Sequence, residues 1–273
     1  ISDKWGVDIQ IVLKLMKKGV RIAEVDIGTI KHKKQPIENL TIMSEEVIKT
    51  VLSELGIIAN KHKLVIFDFD NTLIKQSSIE VIAKEMGFTR ELKDLRRKYD
   101  KGNIKDYEVT LALAGILKGR RKEDLLYACR KLTPTRNIDK VVDRLRKKGY
   151  EMAIISVAFC PVIEPFAEVL GIPKENIIAP ELVTDKEGFF TGEVLAKTKY
   201  NSKCCDKIIC KKEAAKELMK KYNVSSEECV AVADGKSDKC LFEACGLSLA
   251  FKPKSPAGDV IITNFAEVLI YAE

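Results

Sequence analysis

No run of apolar residues in this 273-residue chain approaches the roughly 20 that a membrane-spanning helix needs, and no signal peptide opens it. The chain is therefore expected in the cytoplasm, with no membrane partner. Internal repeats and low-complexity tracts are absent, and an apolar content of 46% with a charged content of 32% excludes a disordered polymer. Aromatic neighbours are missing around the basic clusters Arg96-Arg97-Lys98 and Lys118-Gly119-Arg120-Arg121-Lys122. Without stacking platforms these clusters are solvated helix ends and loops rather than a nucleic-acid footprint, and the net charge of +7 suits small anionic molecules instead. Of the eight cysteines, Cys160, Cys229 and Cys245 lie in apolar segments, as buried thiols of a reducing compartment do. Cys204, Cys205 and Cys210 have no neighbouring histidine and no second C-x-x-C pair, which argues against zinc. An initiator Met is also missing at Ile1, so the first 60 residues are expected to be the tail of a longer polypeptide or an accessory segment.

What is present centres on residues 63–73, Lys-Leu-Val-Ile-Phe-Asp-Phe-Asp-Asn-Thr-Leu. The apolar run 64–67 has the length of a strand buried on both faces, and it ends in Asp68 and Asp70. Two carboxylates at the mouth of a buried strand repel each other unless a cation compensates them, and a hard divalent ion such as Mg²⁺ is the natural choice.

Periodicity organises the rest. Residues 9–18 and 43–55 are predicted helices flanking a strand at 20–27. Apolar residues at helical spacing over 79–86, 92–99, 107–117 and 123–132 predict an all-helical insert, a lid over the site at 77–132. Beyond it, helices at 138–148, 161–170, 211–222 and 237–244 alternate with strands at 151–156, 176–179, 229–233, 247–251 and 259–263. A hairpin is expected within 182–196, at the turn Asp185-Lys186-Glu187-Gly188. Short alternating elements imply an α/β fold with a doubly wound, mainly parallel sheet, its core formed by 61–76 and 133–273. Such a sheet gathers its strand ends, bringing Ser156, Asp234 and Asp238 beside Asp68, with Lys211 opening the helix that leads to the 229–233 strand. Carboxylate nucleophile, acid/base, metal ligands and oxyanion donors are the parts a phosphoryl-transfer site needs.

This order of motifs resembles the haloacid dehalogenase superfamily of phosphatases, and the stretch from Leu64 onward, through Thr133-Pro134-Thr135 and Val230-Ala231-Val232-Ala233-Asp234-Gly235, resembles its phosphoserine phosphatase branch. The resemblance implies that Asp68 is the nucleophile forming an aspartyl-phosphate, and that Asp70 protonates the leaving group and then activates water. It implies Mg²⁺ held by Asp68, the main-chain carbonyl of Asp70, Asp234 and Asp238, with phosphoryl oxygens on Ser156 and Lys211, or Lys212 if the count slips by one. Substrate contacts are expected from Thr72, Ser77, Val157, and Leu113 or Ala114. Several positions depart from the family. Val157 and Ala158 replace two glycines, Ala233 replaces a glycine, and Ser237 replaces an asparagine. Ser77 stands where a glutamate would take the amino group of phosphoserine, and Leu113 or Ala114 where an arginine would take its carboxylate. Phosphoserine is therefore expected to be a poor substrate.

A second resemblance lies upstream. Asp26-Ile27-Gly28-Thr29-Ile30-Lys31-His32, followed by Gln35-Pro36-Ile37-Glu38-Asn39-Leu40 and Met43-Ser44, is similar to the C-terminal tail of glucosyl-3-phosphoglycerate synthases, in which the matching histidine helps hold a metal. For His32 a packing or exposed role is expected, since the nucleotide-binding domain is missing. The expected function is a Mg²⁺-dependent phosphomonoesterase acting on a small phosphorylated metabolite such as glucosyl- or mannosyl-3-phosphoglycerate. The alternatives are a non-catalytic module that dimerises or regulates a fused glycosyltransferase, and a phosphotransferase. A small phosphomonoester and the rest of a glycosyltransferase polypeptide are the expected partners, with a homodimer left open.

Overall fold

A computed structural model describes residues 7–17, short pieces between 40 and 51, and residues 62–196 and 204–272. The chain divides into two units, residues 1–61 and 62–273. In the first, Val7–Lys17 is a helix and the described residues between 40 and 51 are helical. The predicted strand at 20–27 and His32 lie outside the described residues, as does most of the segment similar to the synthase tail.

The second unit is built on β1 (Leu64–Phe67), four apolar residues with no exposed surface. Fully burying side chains of this size stabilises by about 1.5–3 kcal/mol each, which makes β1 the natural centre of a sheet. β2 (Glu151–Ile155) and β6 (Cys229–Ala233) flank it, and β3 (Ile177–Ile178), β7 (Leu247–Phe251) and β8 (Val260–Ile262) complete the order β3-β2-β1-β6-β7-β8. Every pairing in this sheet is parallel. The order reverses between β1 and β6, so a crevice opens at their carboxyl ends, where α/β sheets bind ligands. Alternate side chains supply two cores. Val65, Phe67, Ile154 and Val232 pack on one face with helices Ile138–Lys147 and Cys160–Leu170, while Leu64, Ile66, Ile155 and Ala231 pack on the other with helix Lys211–Tyr222.

The insert after β1 comprises helices Ser78–Glu85, Thr89–Asp100, Asp106–Leu117 and Lys122–Cys129, each within three residues of its predicted bounds. Three elements differ from expectation. The hairpin β4 (Glu181–Thr184) and β5 (Phe190–Leu195), expected in the core, bridges core and insert: β4 packs on helix Cys160–Leu170 and β5 on the insert. Its Phe190 is buried, and its main chain bonds with Gly119 and Arg120 at 2.8 and 2.9 Å and with Lys122 at 2.9 Å. The sheet edge β3 is only two residues long and offers it no ladder. The predicted helix at 237–244 is broken into a 3₁₀ turn, Lys236–Asp238, and a short helix, Lys239–Phe242. A terminal helix, Val268–Ala272, was not expected; the signal for it is the capping box of Asn264 and Glu267 on the turn before it. Among the described residues no helix is long and apolar enough to cross a membrane.

Candidate active site

Asp68 extends the β1 ladder by one bond, its N–H donating to the Val232 carbonyl at 2.9 Å. The chain then turns sharply: Asp70 is extended, Asn71 takes φ of +56°, and the Ile74 N–H reaches back to the Phe69 carbonyl at 3.2 Å. Asparagine tolerates that left-handed conformation. The turn brings the Asp70 carboxylate to the Ser78 N–H at 3.0 Å and lets the Asn71 side chain donate to Asp234.

Asp68, Asp234 and Asp238 converge from the ends of β1 and β6, with one carboxylate oxygen of each lying within 4.8 Å of the others. The Asp70 carboxylate stands outside that trio. Lys211, only 2% exposed, places Nζ 2.5 Å from Asp68 Oδ1 and also donates to Asp238 Oδ1. Lys212 turns outward, its Nζ 3.5 Å from Glu243, so Lys211 is the lysine that reaches the site. Ser156 is buried just beyond β2, where its Oγ accepts the Ala158 N–H at 3.1 Å.

Burial pushes the Asp68 carboxyl up to about 7, against the pull of Lys211 and with the push of Asp238. It pushes Asp70 up to about 6 despite the Ser78 hydrogen bond, and it raises Asp234, aided by Asp238. Lys211 is held charged well above its usual range, because Asp238 and Asp68 outweigh its burial. Burial acts on Asp238 too, but Lys211 holds that carboxyl below the usual range. Four carboxyls thus share one buried ammonium. Clustered oxygen donors with excess negative charge fit a hard divalent cation such as Mg²⁺, which Asp68, Asp234 and Asp238 would hold.

A pH prediction follows for protein stripped of cations. Asp68 and Asp70 bind protons in the native state up to about pH 7 and 6, whereas unfolded aspartates release theirs near pH 3.8. Between these limits the native state carries more protons than the unfolded one, so stability falls as pH rises through that window. Asp238, shifted the other way, acts only below it. With EDTA the melting temperature should fall from about pH 4 to 7, and Mg²⁺ should restore more of it above that window than inside it. A chelated protein whose melting temperature rises steadily across the window would contradict this account.

A cavity of about 260 Å³ lies between the insert and the sheet, lined by Asp70, Ser77, Leu113 and Val157 among others. Ala114 does not line it and is buried in the apolar core instead, one helical step from Leu113. Thr72 is also absent from its wall. The Thr72 Oγ1 is fully buried with no hydrogen-bond partner. Arg96, expected in a solvated basic cluster, lines the cavity, and so do Tyr99 and Asp106, which the sequence did not single out. All three come from the insert, where helical spacing marks the inner face without showing what it faces. A larger apolar groove of about 620 Å³, between Leu126 and Val169, includes none of the four clustered acids.

Known proteins share this arrangement. A phosphoserine phosphatase of Methanocaldococcus jannaschii is 30% identical over 195 residues, 71% of this chain and 87% of that protein. One from Wolinella succinogenes is 26% identical over 192 residues, 70% of this chain and 88% of its own length. A phospho-aspartyl intermediate analogue of phosphoserine phosphatase superposes with a TM-score of 0.65 at 28% identity, covering 78% of this chain and 100% of that one. A substrate-bound phosphoserine phosphatase complex gives 0.66 at 28% identity, covering 78% and 99%. Residues 65–243 match the family model of haloacid dehalogenase-like hydrolases, and with its acids at the β1 and β6 ends and its insert after β1 the chain belongs to that family, as a phosphatase of the phosphoserine phosphatase branch.

Proposed function

We propose that this protein hydrolyses a small phosphomonoester through a covalent aspartyl-phosphate on Asp68. The observation that carries this reading is the buried contact of Lys211 with Asp68, in reach of Asp238 and beside the cavity that Asp70 enters. A phosphoryl group entering from the cavity meets the Asp68 carboxylate, with Lys211 to offset charge on its oxygens. Ser156, whose hydroxyl sits at the end of β2, supplies a further hydrogen bond. Asp70 is the general acid: with its carboxyl near 6, much of it carries a proton at mildly acidic pH, ready for the leaving alkoxide. The Ser78 N–H keeps its other oxygen in place, and the resulting carboxylate then takes a proton from the attacking water. Mg²⁺ would supply charge neutralisation on the phosphoryl oxygens.

The substrate proposed is a glycosyl phosphoglycerate, such as glucosyl- or mannosyl-3-phosphoglycerate. Ser77 and Leu113 leave the cavity without the two charged anchors that suit phosphoserine, and the upstream resemblance supports a phosphoglycerate derivative. Arg96 offers a partner for the carboxylate of such a molecule. A second reading has its own observation: Asp106 and Arg96 both line the cavity and could replace the missing anchors, one for an ammonium and one for a carboxylate, which would restore phosphoserine.

Phosphate release with Mg²⁺ from glucosyl-3-phosphoglycerate, its mannosyl analogue, 3-phosphoglycerate, phosphoserine and p-nitrophenyl phosphate tests both. Preferential turnover of a glycosyl phosphoglycerate, with KM raised about 10-fold or more by Arg96→Ala and p-nitrophenyl phosphate unaffected, is expected. Preferential turnover of phosphoserine, lost in Asp106→Ala, would establish the second reading. Turnover of p-nitrophenyl phosphate alone would keep the mechanism and discard both substrates. Binding of a phosphate analogue without any turnover would favour a non-catalytic module, and label passing to an alcohol would indicate a phosphotransferase.

A further inference from the structure

Behind the acids, the fold assembles a second group of ligands that phosphate chemistry does not use. Cys204, Cys205, Cys210 and Cys240 bring their four sulfurs within 4.8 Å of one another, all four as free thiols. The sequence showed three of them without a fourth ligand. Cys240, thirty residues further on and in the short helix after Asp238, completes the set because that helix packs on helix Lys211–Tyr222.

We infer that these four cysteines form a structural site for a soft divalent cation, zinc, distinct from the carboxylate cluster. Thiolates prefer such ions and are poor ligands for Mg²⁺. In a tetrahedral site with Zn–S bonds of about 2.3 Å the sulfurs stand about 3.8 Å apart, so a spread of at most 4.8 Å needs only side-chain adjustment to close. The iron atoms and sulfides of a cubane cluster would spread the cysteine sulfurs wider than that. Binding displaces the thiol protons to solvent and changes no oxidation state.

The position of the site gives it consequences. Its loop, 204–210, runs directly into Lys211. Within the loop, Asp206 holds the start of insert helix Asp106–Leu117, accepting the Tyr107 N–H on its carbonyl at 2.9 Å and the Asp106 N–H on Oδ2 at 3.3 Å. Lys207 donates to the Ser237 carbonyl. A bound ion would tie together the phosphate-binding lysine, the Asp238 segment and the root of the insert.

The test is elemental analysis of the full chain purified under reducing conditions, followed by replacement of zinc with cobalt. One zinc per chain is expected, and cobalt should produce the intense absorption of a tetrahedral thiolate complex. The half-buried ligands allow Cys204→Ser and Cys205→Ser without disturbing the core, and the pair together should lose the metal and the cobalt spectrum, whereas Cys245→Ser should keep both. Stripping zinc should lower the melting temperature, and zinc but not Mg²⁺ should restore it. These readouts do not depend on turnover. Folded protein that takes up neither metal, a double variant that still binds cobalt, or a disulfide among these four cysteines in freshly reduced protein would each overturn the inference.

Discussion

Asp68→Asn is expected to remove phosphate release by at least ~10⁴-fold in kcat while leaving the fold intact. The amide has the shape of the carboxyl but no anionic oxygen to attack phosphorus, so the covalent step is lost outright. The structure also says why stability should survive. Asp68 is 5% exposed and shares Lys211 with Asp238, so one carboxylate remains on the ammonium after substitution. Burial and Asp238 already press the Asp68 carboxyl up to about 7, which marks a site with more negative charge than it can hold comfortably without a cation. Removing one charge relieves that repulsion, and in EDTA the variant should melt no lower than the parent. Intact mass of acid-quenched protein provides the direct check. The parent with p-nitrophenyl phosphate should show a phosphate adduct, and Asp68→Asn should show none. Asp70→Asn is the informative contrast: p-nitrophenolate leaves without a proton, so the adduct should form and then persist, because no base activates water. An adduct in Asp68→Asn would place the nucleophile elsewhere.

Much of this geometry is legible in the sequence, for identifiable physical reasons. β1 and β6 are short, wholly apolar and bounded by charged residues, so their limits fall at 64–67 and 229–233 in both the pattern and the structure. Because a parallel sheet aligns its strand ends, the sequence places Asp68 and Asp234 side by side, where the structure has them. Pairings across the molecule are harder. The seating of β5 on the insert depends on backbone groups at Gly119 and Arg120, which leave no periodic trace. Leu113 and Ala114 are adjacent and both belong to the apolar core, but only Leu113 also reaches the cavity wall, and a helical repeat separates them only when the partner face is known. Cys240 is the clearest instance. Thirty residues separate it from Cys210, and only the packing of its short helix on helix Lys211–Tyr222 makes them part of one cluster.

Lys211→Met should cost about 3–5 kcal/mol of stability at alkaline pH in cation-free protein, and on the order of 10²–10³ in kcat. Methionine fills most of the lysine stem, so the loss is electrostatic rather than a cavity. With no ammonium, Asp68 and Asp238 are left buried at 5% and 0% exposure with nothing between them, the circumstance in which breaking an ion pair costs most. The pH dependence separates this from simple loss of packing. Lys211 lowers both neighbouring carboxyls, so its removal lifts them further, and the Asp68 titration moves above about 7. Below that range the carboxyls neutralise themselves by taking protons, and the penalty should shrink; above it the penalty should be full. Saturating Mg²⁺ should recover part of the stability, because a cation at the carboxylates replaces the missing charge. It should recover much less of the rate, since in the proposed mechanism the ammonium also serves the phosphoryl oxygens in the transition state. Melting curves of parent and variant across pH, each with EDTA and with Mg²⁺, read all of this in one series. A loss equal at every pH and untouched by Mg²⁺ would mean that Lys211 acts by packing alone, and the charge balance assigned to the four acids would have to be abandoned.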